Sequence, residues 1–321
     1  MNNLINKEFQ KINPLLKEAK NVLIASHENP DADAVGSVLG LDFGLRQLNL
    51  QTIPYLPGET PPYLSFLPGF TRIKNQISFS DFDLIFCLDY GDFNRLRLPF
   101  QFSEEKIITF DHHLESNQKG RIKIIEPDFS STSEMIYLWL SDLGVEIDKD
   151  IATCLLTGII YDTGGFKHIS TSSQTLKIVS DLISKGISLE KISRQVLTLG
   201  KPLTRSKIWS EVLARITLDH KKSFIFSWLS FEDLKKYQVF PSDLDGISSL
   251  ISTISGASFS LFLVEYEKNK VRGSLRTEPY KEKNIIEIAQ SLGGNGHSFA
   301  AGFQQEGSIE EVLKRIYNLI D

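Results

Sequence analysis

Cysteine is nearly absent: the 321 residues contain two, Cys87 and Cys154. Each lies in an apolar run, "LIFCLDY" and "ATCLLTG". They read as small buried side chains, which argues against a disulfide framework or a thiolate metal site. A reducing compartment suits such a chain, and the expected location is cytoplasmic. A basic excess is also missing. The net charge is −5, so no global field draws in long duplex nucleic acid. An anionic substrate stays open, because bound divalent cations reverse the sign locally. Long apolar runs are lacking too. The most apolar window, "SSLISTISGASFSLFLVEY", is broken by Ser and Gly and changes its period midway. It reads as a helix and then a strand, and no membrane partner is expected. The opening "MNNLINKEFQKINPLLKEAK" has no extended apolar segment of the signal-peptide kind.

What is present is a globular composition, 41% hydrophobic and 23% charged. The length points to two domains. Residues 5–20 and 34–48 have helical spacing. Short apolar runs at 21–26, 82–90, 106–113 and 122–128 read as buried strands. In "SSTSEMIYLWLSDLG", Ser131 and Glu134 fit a capping box and Gly144 a helix stop. Helical patterns follow to about residue 200, and "PLTRSKIWSEVLARI" reads as a further helix with Pro202 in its first turn. Beyond His220 strands and helices mix. The expected class is α/β: a mostly parallel sheet covered on both faces over 1–190, a helical linker at 191–220, and a smaller α+β domain at 221–321.

The position of the acids and imidazoles is the informative feature. "NVLIAS" ends at His27, "LIFCL" at Asp89, and "IITF" at Asp111, His112 and His113. "SHENPDADAVGS" adds Glu28, Asp31 and Asp33 within a few residues of His27. In open α/β sheets ligands bind beyond the carboxyl ends of the strands, so separate strand ends deliver these groups to one crevice. Any one of them alone reads as a turn, a cap or a solvated loop. Together they suit a cation site. Carboxylate and imidazole without thiolate favour Mn²⁺, Mg²⁺, Fe²⁺ or Co²⁺ over structural zinc. Crowded carboxylates need cations to offset their repulsion, and a pair of ions can share one carboxylate and acidify water for attack on a phosphate. His168 and His220 have no such context and read as surface or satisfied histidines.

These stretches resemble the motifs of the DHH phosphoesterases, and within them the stand-alone oligoribonuclease and pAp-phosphatase group (nanoRNases). The similar stretches are "HENPDADAVGS", "LDYGD", "DHH" and "GIIYDTGGF", with "VRGSLRT" and "GGNGHSFAAGF" resembling the DHH-associated domain. The likeness spans nearly the whole chain in order. It implies that His27 and Asp31 hold one Mn²⁺, that Asp33, His112 and Asp162 hold a second, and that Asp89 bridges them. It implies that His113 faces the scissile phosphate and that Asp111 orients a histidine. In the second domain it implies substrate binding by Arg272, Ser274, Arg276, Gly294, Gly296 and His297, with glycine amides approaching a phosphate. Asn295 and Ala32 stand where the family often has glycine. The implied substrates are pAp and very short RNAs such as pApA, with cyclic-di-AMP as the alternative. A homodimer is plausible for the family. A processive single-strand exonuclease is disfavoured, since no extra oligonucleotide-binding barrel or basic channel is apparent.

Overall fold

The computed structural model describes residues 3–78, 81–113, 117–198, 203–239, 241–244, 246–281 and 283–320. It forms two compact units, Met1–Gly200 and Lys201–Asp321. In the first, helix α1 (Asn3–Glu18) leads to strand β1 (Asn21–Ala25), helix α2 (Ala32–Gln47) and strand β2 (Gln51–Tyr55). Strands β3 (Leu84–Leu88), β4 (Ile107–Asp111) and β5 (Ile122–Ile125) follow, then helices α3 (Thr132–Asp142), α4 (Lys149–Asp162), α5 (Ser173–Ser184) and α6 (Leu189–Ser193).

The five strands form one parallel sheet in the order β2-β1-β3-β4-β5. β3 and β4 are buried along their whole length, the continuous apolar pattern of a sheet covered on both sides. The coverings differ. Helices build the larger core on one face, where Trp139 of α3 packs 5.3 Å from Phe86 and 5.2 Å from Phe110. Loops and a short 3-10 turn supply Phe82, Tyr90 and Leu96 to the other face, where they pack with Leu23, Ile85 and Cys87. Strand order reverses between β1 and β3, because β1 runs through α2 to β2 on one side while β3 adds on the other. That switch point is where such sheets bind ligands.

Helix α2 is buried nearly all round and lies very close to α4. A β-carbon at Gly36 would sit 2.5 Å from the carbonyl oxygen of Cys154, and one at Gly158 2.3 Å from Asp33 Oδ1. Both glycines are therefore demanded by close approach, which carries Asp33 near the start of α2 and Asp162 at the end of α4 toward one place. Asp31 is the N-cap of α2, its Oδ1 accepting from the amides of Asp33 and Ala34 at 3.0 Å each. The helix thus begins before the expected residue 34, and Asp33 lies in its first turn.

The second unit contains α7 (Leu203–Ala214), β6 (Thr217–Asp219), β7 (Phe224–Leu229), α8 (Phe231–Tyr237), α9 (Ile247–Ser252), β8 (Phe259–Glu267) and β9 (Lys270–Arg276). It ends with α10 (Ile286–Ser291), β10 (Asn295–His297), β11 (Ala300–Glu306) and α11 (Ile309–Leu319). Its sheet has the order β10-β11-β9-β8-β7-β6 and is antiparallel except for the β7–β8 pair. One face packs on α10 and α11, and the other, over β7 and β8, on α7 and α9. The stretch expected as a linker is divided: Ile192 and Val196 belong to the first core, Ile208 and Val212 of α7 to the second unit. Pro202 lies outside the described residues.

Gly36→Ala is expected to destabilise the protein by about 1–3 kcal/mol, because the added methyl meets main chain that cannot rotate away. Urea unfolding of the variant measures this, and an unchanged midpoint would contradict the close packing.

Candidate metal centre

The six residues expected as metal ligands are brought together. Donor atoms of His27, Asp31 and Asp89 lie within 4.8 Å of one another, and so do those of Asp33, His112 and Asp162. A third group of the same kind joins Asp89, His112 and His113. Asp89 connects the sets. Its Oδ2 lies 3.9 Å from His27 Nε2, whereas its Oδ1 lies 3.4 Å from His112 Nε2. The residue adopts φ +50°, the left-handed region, a conformation that costs energy outside glycine and clusters at functional sites.

Several of the ligand candidates have a local reason for their orientation. His27 Nδ1 lies 2.8 Å from the carbonyl oxygen of Glu28. Donation there leaves the Nε2 lone pair facing Asp89, the tautomer a metal needs. Arg95 Nη2 also approaches Nδ1, at 3.0 Å, while its Nη1 donates to the carbonyl of Tyr90. Only one of the two approaches to Nδ1 can be a hydrogen bond at a time. Asp33 accepts the amides of Thr132 and Ser133 at 2.7 and 3.0 Å, at the N-terminus of α3. Such helix ends favour negative charge. Asp111 is buried and holds the amides of Tyr90 and Gly91 through Oδ2 and His113 Nδ1 through Oδ1 at 2.9 Å. The histidine it orients is thus His113, whose ring stays 45% exposed. His168 is a satisfied histidine: its Nδ1 contacts the carbonyl oxygen of Asp162 at 2.7 Å and braces the end of α4.

The donor set fits divalent ions. His112 Nε2 is buried and, although 3.0 Å from Asp162 Oδ2, is not aligned for a hydrogen bond with any described group. A metal-binding nitrogen facing carboxylates has this arrangement. The electrostatics agree. Burial, then the charge of Asp89, pushes Asp33 well above the usual carboxylate range, and burial with Asp31 and Asp89 pushes Asp162 up to about 7. Burial opposes charge on His112, yet the nearby Asp162 and Asp89 carboxylates push it up to about 12. Burial also opposes ionised Asp89, but the three histidines outweigh it and hold the carboxyl well below its usual range. Crowded acids at such a site call for positive charge.

In the second unit Arg272, Ser274 and Arg276 alternate with the buried Val271 and Leu275, so the three share the opposite face of β9. Register places Arg276 across from Ala300, and Ala300 across from His297. Ser274 likewise lies across from Gly302, and Gly302 from Asn295. The small residues Ala300 and Gly302 separate the polar side chains. Burial lowers the pKa of Arg276, and no described group accepts a hydrogen bond from its guanidinium. Gly294 and Gly296 also lie close against β11. A β-carbon at Gly294 would meet the Gly302 carbonyl at 2.2 Å, and one at Gly296 the Ala300 carbonyl at 2.4 Å. The Gly294 amide donates to Ala289 and the Gly296 amide to Asn295 Oδ1. Both are already engaged, so the free donors here are side chains. Neither Asn295 nor Ala32 has the positive φ that would call for glycine.

Two family models match the chain: the DHH family, N-terminal domain, over residues 21–159, and the DHHA1 domain over 221–321. The fold, the acidic and imidazole cluster and these matches define a metal-dependent phosphoesterase. The chain thus carries a DHH N-terminal domain and a DHHA1 domain. It is 28% identical over 302 residues to the bifunctional oligoribonuclease and PAP phosphatase NrnA of Thermus thermophilus, covering 93% of this chain and 89% of that protein. It is 26% identical to the cyclic-di-AMP phosphodiesterase GdpP of Bacillus subtilis over 96% of this chain but 48% of that protein. A crystal structure of an exopolyphosphatase-related protein from Bacteroides fragilis superposes with a TM-score of 0.86 at 26% identity, covering 98% of this chain and 95% of the other.

Asp162 and His112 both bind protons more tightly in the folded metal-free protein than in the unfolded chain. For Asp162 the folded state holds the extra proton between about pH 4 and 7, and for His112 from about pH 6.5 upward. Both contributions therefore fall as pH rises. Asp89 has the opposite sign, but its contribution is lost only below about pH 4. The urea midpoint of the metal-free protein should drop between about pH 5 and 8, and Asp162→Asn should flatten that slope. A midpoint that rises over this interval would contradict the assignment.

Proposed function

We propose that the protein is a Mn²⁺-dependent phosphodiesterase and phosphatase. It hydrolyses very short oligoribonucleotides such as pApA to AMP, and pAp to AMP and phosphate. The observation that carries this reading is Asp89, one carboxylate whose two oxygens face separate sets of donors. The kinship with a bifunctional oligoribonuclease and PAP phosphatase over most of both chains supports the substrate class.

In this reading His27 and Asp31 would hold one ion, Asp33, His112 and Asp162 the other, and Asp89 would serve both. Oxygen and imidazole donors without thiolate suit Mn²⁺, with Mg²⁺, Co²⁺ and Fe²⁺ as competitors. The ions, when bound, supply Lewis acidity that makes water acidic near neutral pH and offsets phosphate charge. The protein's own groups supply orientation. Asp111 fixes His113 through Nδ1, leaving Nε2 to donate to a phosphate oxygen. Burial opposes charge on His113, but the Asp111 hydrogen bond and the Asp89 charge outweigh it and raise its pKa in the metal-free protein. In the second unit Arg276 and His297, with Ser274 and Arg272 on the same face, bind the nucleotide phosphate that does not react. Charge-assisted hydrogen bonds suit that task.

Purified protein with Mn²⁺ should convert pApA and pAp to AMP. Asp89→Asn should lower kcat by at least about 1000-fold, equivalent to about 4 kcal/mol of barrier. Equal rates for wild type and Asp89→Asn would refute the proposal. Arg276→Ala should raise KM by about 10–100-fold with a smaller change in kcat, the pattern of lost ground-state binding. Likeness to a cyclic-di-AMP phosphodiesterase makes that dinucleotide the necessary competitor substrate. Faster turnover of it than of pApA would transfer the assignment.

A further inference from the structure

Thr132 is the first residue of α3 and is fully buried. Its amide donates to Asp33 Oδ2 at 2.7 Å, and its hydroxyl donates to Asp89 Oδ1 at 3.3 Å. Those carboxylates come from different elements, α2 and the turn after β3. Among the described residues, Thr132 is the one hydrogen-bond donor to the Asp89 carboxylate that carries no titratable group. Rotation of a carboxylate about its last torsion is soft, so the plane of Asp89 needs an external reference. The hydroxyl supplies it. With Oδ1 held on the His112 side, Oδ2 is left toward His27.

We propose that Thr132 is a positioning residue that ties Asp89 to Asp33, so that the paired character of the centre depends on one buried hydroxyl. The proposal rests on the two-ion reading above. Ser131 caps the helix through the amide of Glu134, and Ser133 donates its amide to Asp33. Neither donates a hydrogen bond to Asp89, so no other described donor on α3 duplicates the task. Thr132→Val keeps the shape and the amide but removes the hydroxyl, and Thr132→Ser keeps the hydroxyl.

The test is Mn²⁺ titration calorimetry on the full chain, with melting in EDTA as the control for folding. Wild type should bind two ions. Thr132→Val should melt as wild type does in EDTA, yet bind one of the two ions about 10–100-fold more weakly, the usual cost of losing a partner behind a ligand. Thr132→Ser should stay within about threefold of wild type. Should the valine variant fail to fold, Thr132→Ala against Thr132→Ser makes the same comparison through a single oxygen atom. Wild-type affinities for both ions in the variants lacking the hydroxyl would overturn the proposal. So would a serine variant as weak as valine, since the methyl would then be the operative group. A wild-type protein that binds fewer than two ions would overturn the two-ion reading beneath it.

Discussion

The first unit is organised around a crowding problem. Asp31, Asp33, Asp89 and Asp162 converge on three imidazoles in a space that excludes most water, and like charges there repel. Asp89 is where the problem is sharpest. It sits between the donor sets, in a left-handed backbone conformation, just beyond the strand at the switch point of the sheet. The rest of the unit can be understood as what is needed to hold the other groups against it. Helices α2 and α4 approach through glycine, α3 points its N-terminus at Asp33, and Asp111 ties the turn after β3 to the chain that follows β4.

Much of this was legible in the sequence, for physical reasons. Parallel strands buried on both faces read as apolar runs, and a parallel sheet aligns their carboxyl ends, so polar groups following such runs had to converge. The six expected ligands do converge. Less of the support was legible. The contacts of Thr132 depend on an amide and a hydroxyl meeting partners far away in the chain. Arg95 reaches His27 only because the turn after β3 folds back. Gly158 reads as an ordinary residue of an apolar helix until Asp33 is found against it. The expected capping box at α3 is half present. Ser131 caps the helix, but the Glu134 carboxylate turns to Ser130 and to Thr175 of α5 instead. A local pattern cannot show that a partner elsewhere has a stronger claim.

The second unit divides differently between what was readable and what was not. Alternation along β9 correctly assigns Arg272, Ser274 and Arg276 to one face, because its period is geometric. The glycine cluster gives the opposite lesson. Its sequence suggests amides open to an anion, yet the Gly294 amide donates to Ala289 and the Gly296 amide to Asn295 Oδ1, while both glycines lie close against β11. Glycine there satisfies contact between strands, and Arg276 remains the half-buried cation with no described acceptor.

The distance along the chain between the residues of the metal centre has a consequence for how the protein matures. His27 follows the first strand, while Asp162 closes the fourth helix, so the centre cannot exist in any fragment that lacks either one. Parallel pairing and contacts between distant segments form slowly. The donor cluster is therefore complete only after nearly the whole first unit has been synthesised and packed. A divalent ion captured by that cluster would stabilise the finished arrangement over every earlier one, so metal uptake would follow the packing of the first unit rather than guide it.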